Sequence, residues 1–109
     1  MLSQILRWRK SLIYVQRWPN ERQRTMTSVG LVLGSGGLHA AAQHAGVLAA
    51  LAEVTGWDPR RADVVVGTSA GATTAVSLRA GLSATDLHAY YAGTPLSDNG
   101  QIIADRATT

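Results

Sequence analysis

The 109-residue sequence contains no cysteine, no phenylalanine and no long apolar run. The lack of cysteine excludes disulfides, thiolate metal sites, CxxC redox chemistry and a cysteine nucleophile. The lack of a long apolar run argues against a membrane-spanning helix, and no signal peptide is evident. The composition does not fit collagen, a coiled coil or a broadly disordered chain. We therefore expect a globular chain that is cytoplasmic or peripheral to a membrane.

The positive charge is concentrated near the N-terminus. Residues 1–27 carry six basic and one acidic side chain, a net charge of +5, whereas residues 28–109 carry four basic and six acidic ones, a net charge of −2. The sequence pI of about 10.0 therefore reflects the first segment, and no nucleic-acid partner is expected. We interpret residues 1–27 as a basic extension that is either disordered or interfacial. The disordered state is the favoured interpretation, and contact of residues 1–24 with an anionic membrane surface is the alternative.

From residue 28 onward the pattern predicts alternating strands and helices. Strands are predicted at 29–33 and 63–66, helices at 38–54, 70–80 and 84–92, and a polar, turn-like segment at 96–109. Two apolar strands joined through a helix predict a parallel pair, so the fold class is α/β. Gly46 lies inside the first predicted helix, where it lowers helix propensity, and we expect it to serve close packing of that helix on the sheet.

A G-x-S-x-G motif, Gly67-Thr68-Ser69-Ala70-Gly71, lies between the second strand and the second helix. A strand-to-helix turn this sharp places the serine in a strained backbone conformation, and the flanking glycines leave room for the neighbouring chain. Ser69 is thus a candidate nucleophile, with the amide of Ala70 directed into the same space. The alternative is a glycine-rich turn in which the serine side chain caps the following helix.

The loop Gly34-Ser35-Gly36-Gly37 follows the first strand and precedes the first helix. Glycine amides at a helix N-terminus can approach a developing oxyanion closely, and the helix dipole favours negative charge there. The alternative is a dinucleotide-binding G-x-G-x-x-G, but His39 occupies the place of the third glycine. The acidic residue expected after the second strand is also missing.

Residues 31–51 together with residues 65–71 resemble the start of a patatin-like phospholipase domain. The resemblance covers about residues 29–92 and implies a partial three-layer α/β/α sandwich with a parallel sheet, truncated after the nucleophile helix. It implies a lipid acyl hydrolase with a serine–aspartate dyad, a lipid or acyl-ester substrate and no cofactor or metal. Ser69 would be the nucleophile, and Gly36, Gly37 and Leu38 would supply oxyanion amides.

The sequence departs from the family pattern in three ways. Ser35 interrupts the glycine run, and His39 and Ala40 stand where the family has a basic residue and a glycine. His39 is a candidate auxiliary contact for an anionic group, whereas His44 and His88 are interpreted as packing or surface residues.

The third departure concerns the catalytic acid, because the family's Asp-Gly motif does not occur in this chain. We therefore interpret residues 28–109 as the N-terminal portion of such a domain, inactive by itself. An inactive relic, a non-catalytic α/β module and a nucleotide-binding module remain alternatives. Whether the reaction is hydrolysis or acyl transfer stays open.

Overall fold

Four strands form one mixed sheet with the order β1-β2-β4-β3. The computed structural model describes the backbone of residues 2–8, 11–17 and 28–108, and the side chains of residues 28–106. The strand bounds are β1 Leu2–Trp8, β2 Ser11–Arg17, β3 Gly30–Leu33 and β4 Val64–Thr68.

The two strands predicted to be parallel are β3 and β4. Leu31 is opposite Val65 and Leu33 is opposite Gly67 in a parallel register. The helix between them makes this a strand–helix–strand unit, which confirms the α/β class and the parallel pair inferred from the sequence.

The described parts of the N-terminal segment form two strands, which the interpretation of residues 1–27 as a disordered or interfacial extension did not include. β1 and β2 form an antiparallel hairpin, and β2 pairs with β4 in antiparallel register, with Val15 opposite Val66. The free backbone edge of β4 provides donors and acceptors for such a strand, and β2 contains the β-branched and aromatic residues that favour one. The predicted membrane contact concerns side chains of residues 1–24, which lie outside the described residues.

The described part of the chain contains four α-helices, one between β3 and β4 and three after β4. Their bounds are α1 Gly37–Thr55, α2 Ala70–Arg79, α3 Ala84–Ala92 and α4 Asp98–Thr108, and Pro59–Arg61 form a single 3-10 turn. The first three agree with the sequence prediction to within about one residue. α1 and α3 end at Gly56 and Gly93 in left-handed conformation, with φ of 71° and 72°.

The fourth helix was not predicted, because the polar stretch around Asp98 was interpreted as a turn. Ser97 accepts a hydrogen bond at its Oγ from the amide of Gly100, at 3.1 Å, as an N-cap residue does. The Ser97 amide and hydroxyl in turn donate to the carboxylate of Asp86 on α3, at 2.7 and 2.6 Å. This contact between the N-terminal turns of α3 and α4 fixes the start of α4. Helix propensity, which considers one segment at a time, does not take such a contact into account.

The core lies between one face of the sheet and the helices. Its buried residues are Leu33, Ala45, Leu48, Ala62, Val65, Ala75, Leu78, Leu82, Ala84 and Leu87. Val32 alternates with Leu33 along β3 and is 82% exposed on the other face. In the described part of the chain, the architecture is thus an α/β fold with a parallel pair and four helices.

Gly46 does not have the role expected from the sequence. A Cβ placed on it would meet no atom within 4 Å, so no close approach of the sheet requires glycine there. The close approaches lie instead at the turn after β4.

Candidate active site

Ser69 lies between β4 and α2 in a backbone conformation that side chains rarely adopt. Its φ is 55° and its ψ is −115°, and it is the one non-glycine residue with positive φ among the described residues. Such a conformation costs of order 1–3 kcal/mol, and the surrounding structure must hold it. The strained turn expected for a nucleophile is therefore present.

The hydroxyl of Ser69 is not used to cap α2. Ser69 occupies the N-cap position, and its carbonyl accepts from the amides of Ala72 and Thr73 at 2.9 and 3.2 Å. Its side chain makes no capping hydrogen bond, and the residue is exposed. The geometry thus argues against the alternative of a serine side-chain cap and leaves the hydroxyl accessible.

The two flanking glycines are required by space. A Cβ on Gly67 would collide with the carbonyl of Gly71, and a Cβ on Gly71 would collide with the carbonyl of Leu33. Both glycines are buried. Thr68, which lies between Gly67 and Ser69 at the end of β4, is half-buried. This confirms the steric reason given for small residues two positions on either side of the serine.

The same contact brings the glycine loop to the serine turn. A Cβ on Gly71 would also lie 2.9 Å from the carbonyl of Gly34, the first residue after β3. Both loops therefore lie together at the carboxyl ends of neighbouring parallel strands, where open α/β sheets bind ligands.

The loop itself depends on glycine at two positions. Gly36 has a φ of 142°, and a Cβ there would lie 2.8 Å from the Cβ of Ala40; Gly37, the first residue of α1, has a φ of 67°. Leu38 follows in the first turn and is 75% exposed. Amides in the first turn of a helix have no carbonyl partner within that helix. The amides of Gly37 and Leu38 on α1 and of Ala70 on α2 are in this position, so they can donate to a bound group.

The three histidines take different positions. His39 is exposed in the first turn of α1, beside the glycine loop, and His88 is exposed on α3. His44 is half-buried, with its Nδ1 atom 3.5 Å from the Oγ1 atom of Thr74 on α2, and burial lowers the pKa of His44. Sequence reasoning missed this contact, because periodicity does not show which helix faces meet.

The carboxylates of Asp63 and Glu53 lie at the ends of β4 and α1 that are remote from the serine turn and the glycine loop. Asp63 precedes β4, and its Oδ2 atom accepts from the amide of Val29 at 2.7 Å. Six residues of extended chain, about 20 Å, separate Asp63 from Ser69. Glu53 lies sixteen residues after Gly37, or roughly 24 Å along α1.

Asp58 and Asp86 are held by other groups. Asp58 pairs with Arg60 at 2.8 Å, and the hydrogen bond from Arg60 lowers the pKa of Asp58. Arg60 also donates to the carbonyl of Gly81, beyond the C-terminal end of α2. Asp86 accepts from the amide and hydroxyl of Ser97, so Asp58, Asp63 and Asp86 each have a hydrogen-bond partner other than Ser69.

Comparison with known proteins found no matching family model and no significantly similar curated protein or solved structure. Within the described part of the chain, no helix is long and apolar enough to cross a membrane. No group of three or more potential metal-ligating His, Cys, Asp or Glu side chains occurs among those same residues. The chemistry of the site must therefore be argued from its own geometry.

Proposed function

We propose that residues 28–109 carry the nucleophile and the oxyanion amides of a serine acyl hydrolase of patatin-like type, with the partial three-layer α/β/α fold of that family. The substrate is a lipid or another acyl ester. One observation carries the proposal: Ser69 adopts a strained turn at a helix N-terminus while its exposed hydroxyl makes no capping bond. A serine kept only for helix capping would use its side chain there.

The reaction follows from the placement of the two loops. The Oγ atom of Ser69 attacks the acyl carbon, a base takes the hydroxyl proton, and the carbonyl oxygen becomes an oxyanion. The amides of Gly36, Gly37, Leu38 and Ala70 are the donors we assign to that oxyanion. The oxyanion then collapses, the bond from the acyl carbon to the alcohol oxygen breaks, and the base returns the proton to the leaving alcohol. Water or a second alcohol then attacks the acyl-serine and releases the acyl group from Ser69.

His39 is assigned an auxiliary part in this scheme. It is exposed in the first turn of α1, next to Gly37 and Leu38. When protonated it adds a positive charge beside the oxyanion loop, which favours a phosphate or carboxylate group of a substrate.

We assign no base for Ser69 among the described residues. The chain has no Asp-Gly dipeptide, and Asp58, Asp63 and Asp86 have Arg60, Val29 and Ser97 as their hydrogen-bond partners. A serine hydroxyl without a base is a poor nucleophile, so the 109-residue chain is expected to turn over esters poorly.

Covalent labelling with a fluorophosphonate tests the proposal. The probe forms a phosphonyl ester with the serine oxygen and releases fluoride. It does not need deacylation, so a slow enzyme still gives a signal. The proposed oxyanion amides remain although no base is assigned, so we expect mass spectrometry to place the label on Ser69, slowly but faster than on a free serine. Ser69→Ala should abolish labelling, and Ser35→Ala, in the neighbouring loop, should retain it. A folded chain that takes up no label at Ser69 would contradict the proposal and favour a non-catalytic module.

A further inference from the structure

Thr74 places a buried hydroxyl between the two helices that begin at the candidate site. It lies one turn after Ala70 on α2 and is 1% exposed. Its Oγ1 atom donates to the carbonyl of Ala70 at 3.2 Å and lies 3.5 Å from Nδ1 of His44 on α1. One hydroxyl thus faces the residue after the nucleophile and the helix that follows the glycine loop.

The hydrogen-bond partners of Thr74 favour one tautomer of the His44 ring. A threonine hydroxyl has one proton and two acceptor lone pairs, and its proton is directed to the Ala70 carbonyl. With that proton used, we assign the ring nitrogen as the donor, with Nδ1–H directed to Oγ1. Burial disfavours a charged imidazole and lowers the pKa of His44, which favours the uncharged ring that this assignment requires.

We propose that Thr74 and His44 are positioning residues: their contact, with His44 in the Nδ1–H form, sets the placement of the oxyanion loop relative to the Ser69 turn. The effect on reactivity rests on the function proposed above. His44 lies about 10 Å along α1 from Gly37, and Thr74 lies about 6 Å along α2 from Ala70. A change in helix spacing at this contact therefore reaches both loops, and a misplacement of about 1 Å can cost a hundredfold in rate.

The first test compares two substitutions at Thr74 in the full chain. Thr74→Val keeps the volume and removes the hydroxyl, whereas Thr74→Ser keeps the hydroxyl. We expect fluorophosphonate labelling of Ser69 to slow roughly tenfold or more in Thr74→Val and to stay near the original rate in Thr74→Ser. Equal labelling rates in the valine variant and the unchanged chain would overturn the proposal.

The second test uses the other side of the contact. His44→Asn places an amide donor near the position of Nδ1, whereas His44→Leu does not, so the asparagine variant should be labelled faster than the leucine variant. Two-bond and three-bond ¹H–¹⁵N correlations of the His44 ring report the tautomer directly. We expect Nδ1–H in the unchanged chain and in Thr74→Ser, and loss of that preference in Thr74→Val.

The two proposals fail in different ways. A ring that is Nε2–H in the unchanged chain overturns the positioning contact, whatever the labelling shows. A chain in which Ser69 is never labelled overturns the proposed function, while the tautomer and its response to Thr74→Val still decide whether the contact exists.

Discussion

Gly71, the second residue of α2, lies so close to the carbonyl of Leu33 at the end of β3 that no Cβ fits between them. This approach joins the two halves of the candidate site, because Leu33 leads into the glycine loop and Gly71 follows the serine turn. The position of Ser69 relative to the oxyanion amides is therefore set by a backbone contact that one methyl group would break.

Gly71→Ala is expected to destabilise the fold strongly. The added methyl group must displace backbone rather than a flexible side chain, which costs about 3 kcal/mol or more. Gly46→Ala is the matched control, since a Cβ there meets nothing within 4 Å and alanine favours the helix by about 1 kcal/mol. Urea unfolding should give opposite signs for the two variants; a Gly71→Ala variant as stable as the unchanged chain would contradict the close approach.

Ser69→Gly should be more stable than Ser69→Ala. Both variants lose the hydroxyl, but glycine adopts a φ of 55° without the cost that alanine retains, a difference of about 1–2 kcal/mol. The same pair of substitutions at Ser77, inside α2, should give the reverse order by about 1 kcal/mol. Equilibrium unfolding midpoints decide this, and an alanine variant at position 69 that matches or exceeds the glycine one would show that the turn is not strained.

The sequence predicted the elements of the candidate site better than it predicted the sheet. The strain at Ser69 and the need for Gly67 and Gly71 follow from local geometry, because a strand that turns directly into a helix has few conformations. Two features were missed because they depend on contacts between distant segments. The pairing of β2 with β4 joins residues about fifty positions apart, and α4 begins at a hydrogen bond between Ser97 and Asp86.

Gly46 shows a different limit of prediction from the sequence. A glycine in a helix indicates that something other than helix propensity could act there, and close packing on the sheet was the expected cause. The structure shows open space at that position, and nothing in it explains the glycine.

Alanine substitutions in the loop after β3 should show whether the backbone conformation of its glycines matters for the reactivity of Ser69. Gly36→Ala and Gly37→Ala force a side chain into positive φ, and the first also brings it against Ala40. We expect both to slow fluorophosphonate labelling of Ser69, by tenfold to a thousandfold if oxyanion donors are lost. Gly34→Ala, where a Cβ meets nothing within 4 Å, should label at nearly the original rate. Equal effects at all three positions would show that the loop supplies no oriented donors.

Asp86 should make the fold sensitive to acid. Burial alone raises the pKa of Asp86, but hydrogen bonds from Ser97 and Ser83 and the charge of Arg60 outweigh it, so the pKa lies below its ordinary value. The folded state thus binds this proton less readily than the unfolded state. The resulting stability is fully present above pH about 4 and is lost as the pH falls through the folded-state pKa.

Asp86→Asn tests this linkage. At pH 7 it should lower the free energy of unfolding by about 1–2 kcal/mol, because a charge-assisted pair of bonds to Ser97 becomes a neutral one. The difference from the unchanged chain should shrink as the pH falls below about 4. Asp98→Asn, at an exposed position on α4, is the control and should have little effect at either pH. A stability difference independent of pH would contradict the assignment.

The exposed face of β3 should make the chain self-associate. Val32 is 82% exposed on a strand at the edge of the sheet, and β3 carries no charge or proline, the usual protections of an edge strand. Val32→Lys should therefore raise the fraction of monomer in light scattering and size-exclusion chromatography. Val54→Lys is the matched control: Val54 is 84% exposed, but its helical backbone has no free edge to pair. If both lysines acted equally, general surface charge rather than the edge of β3 would govern association.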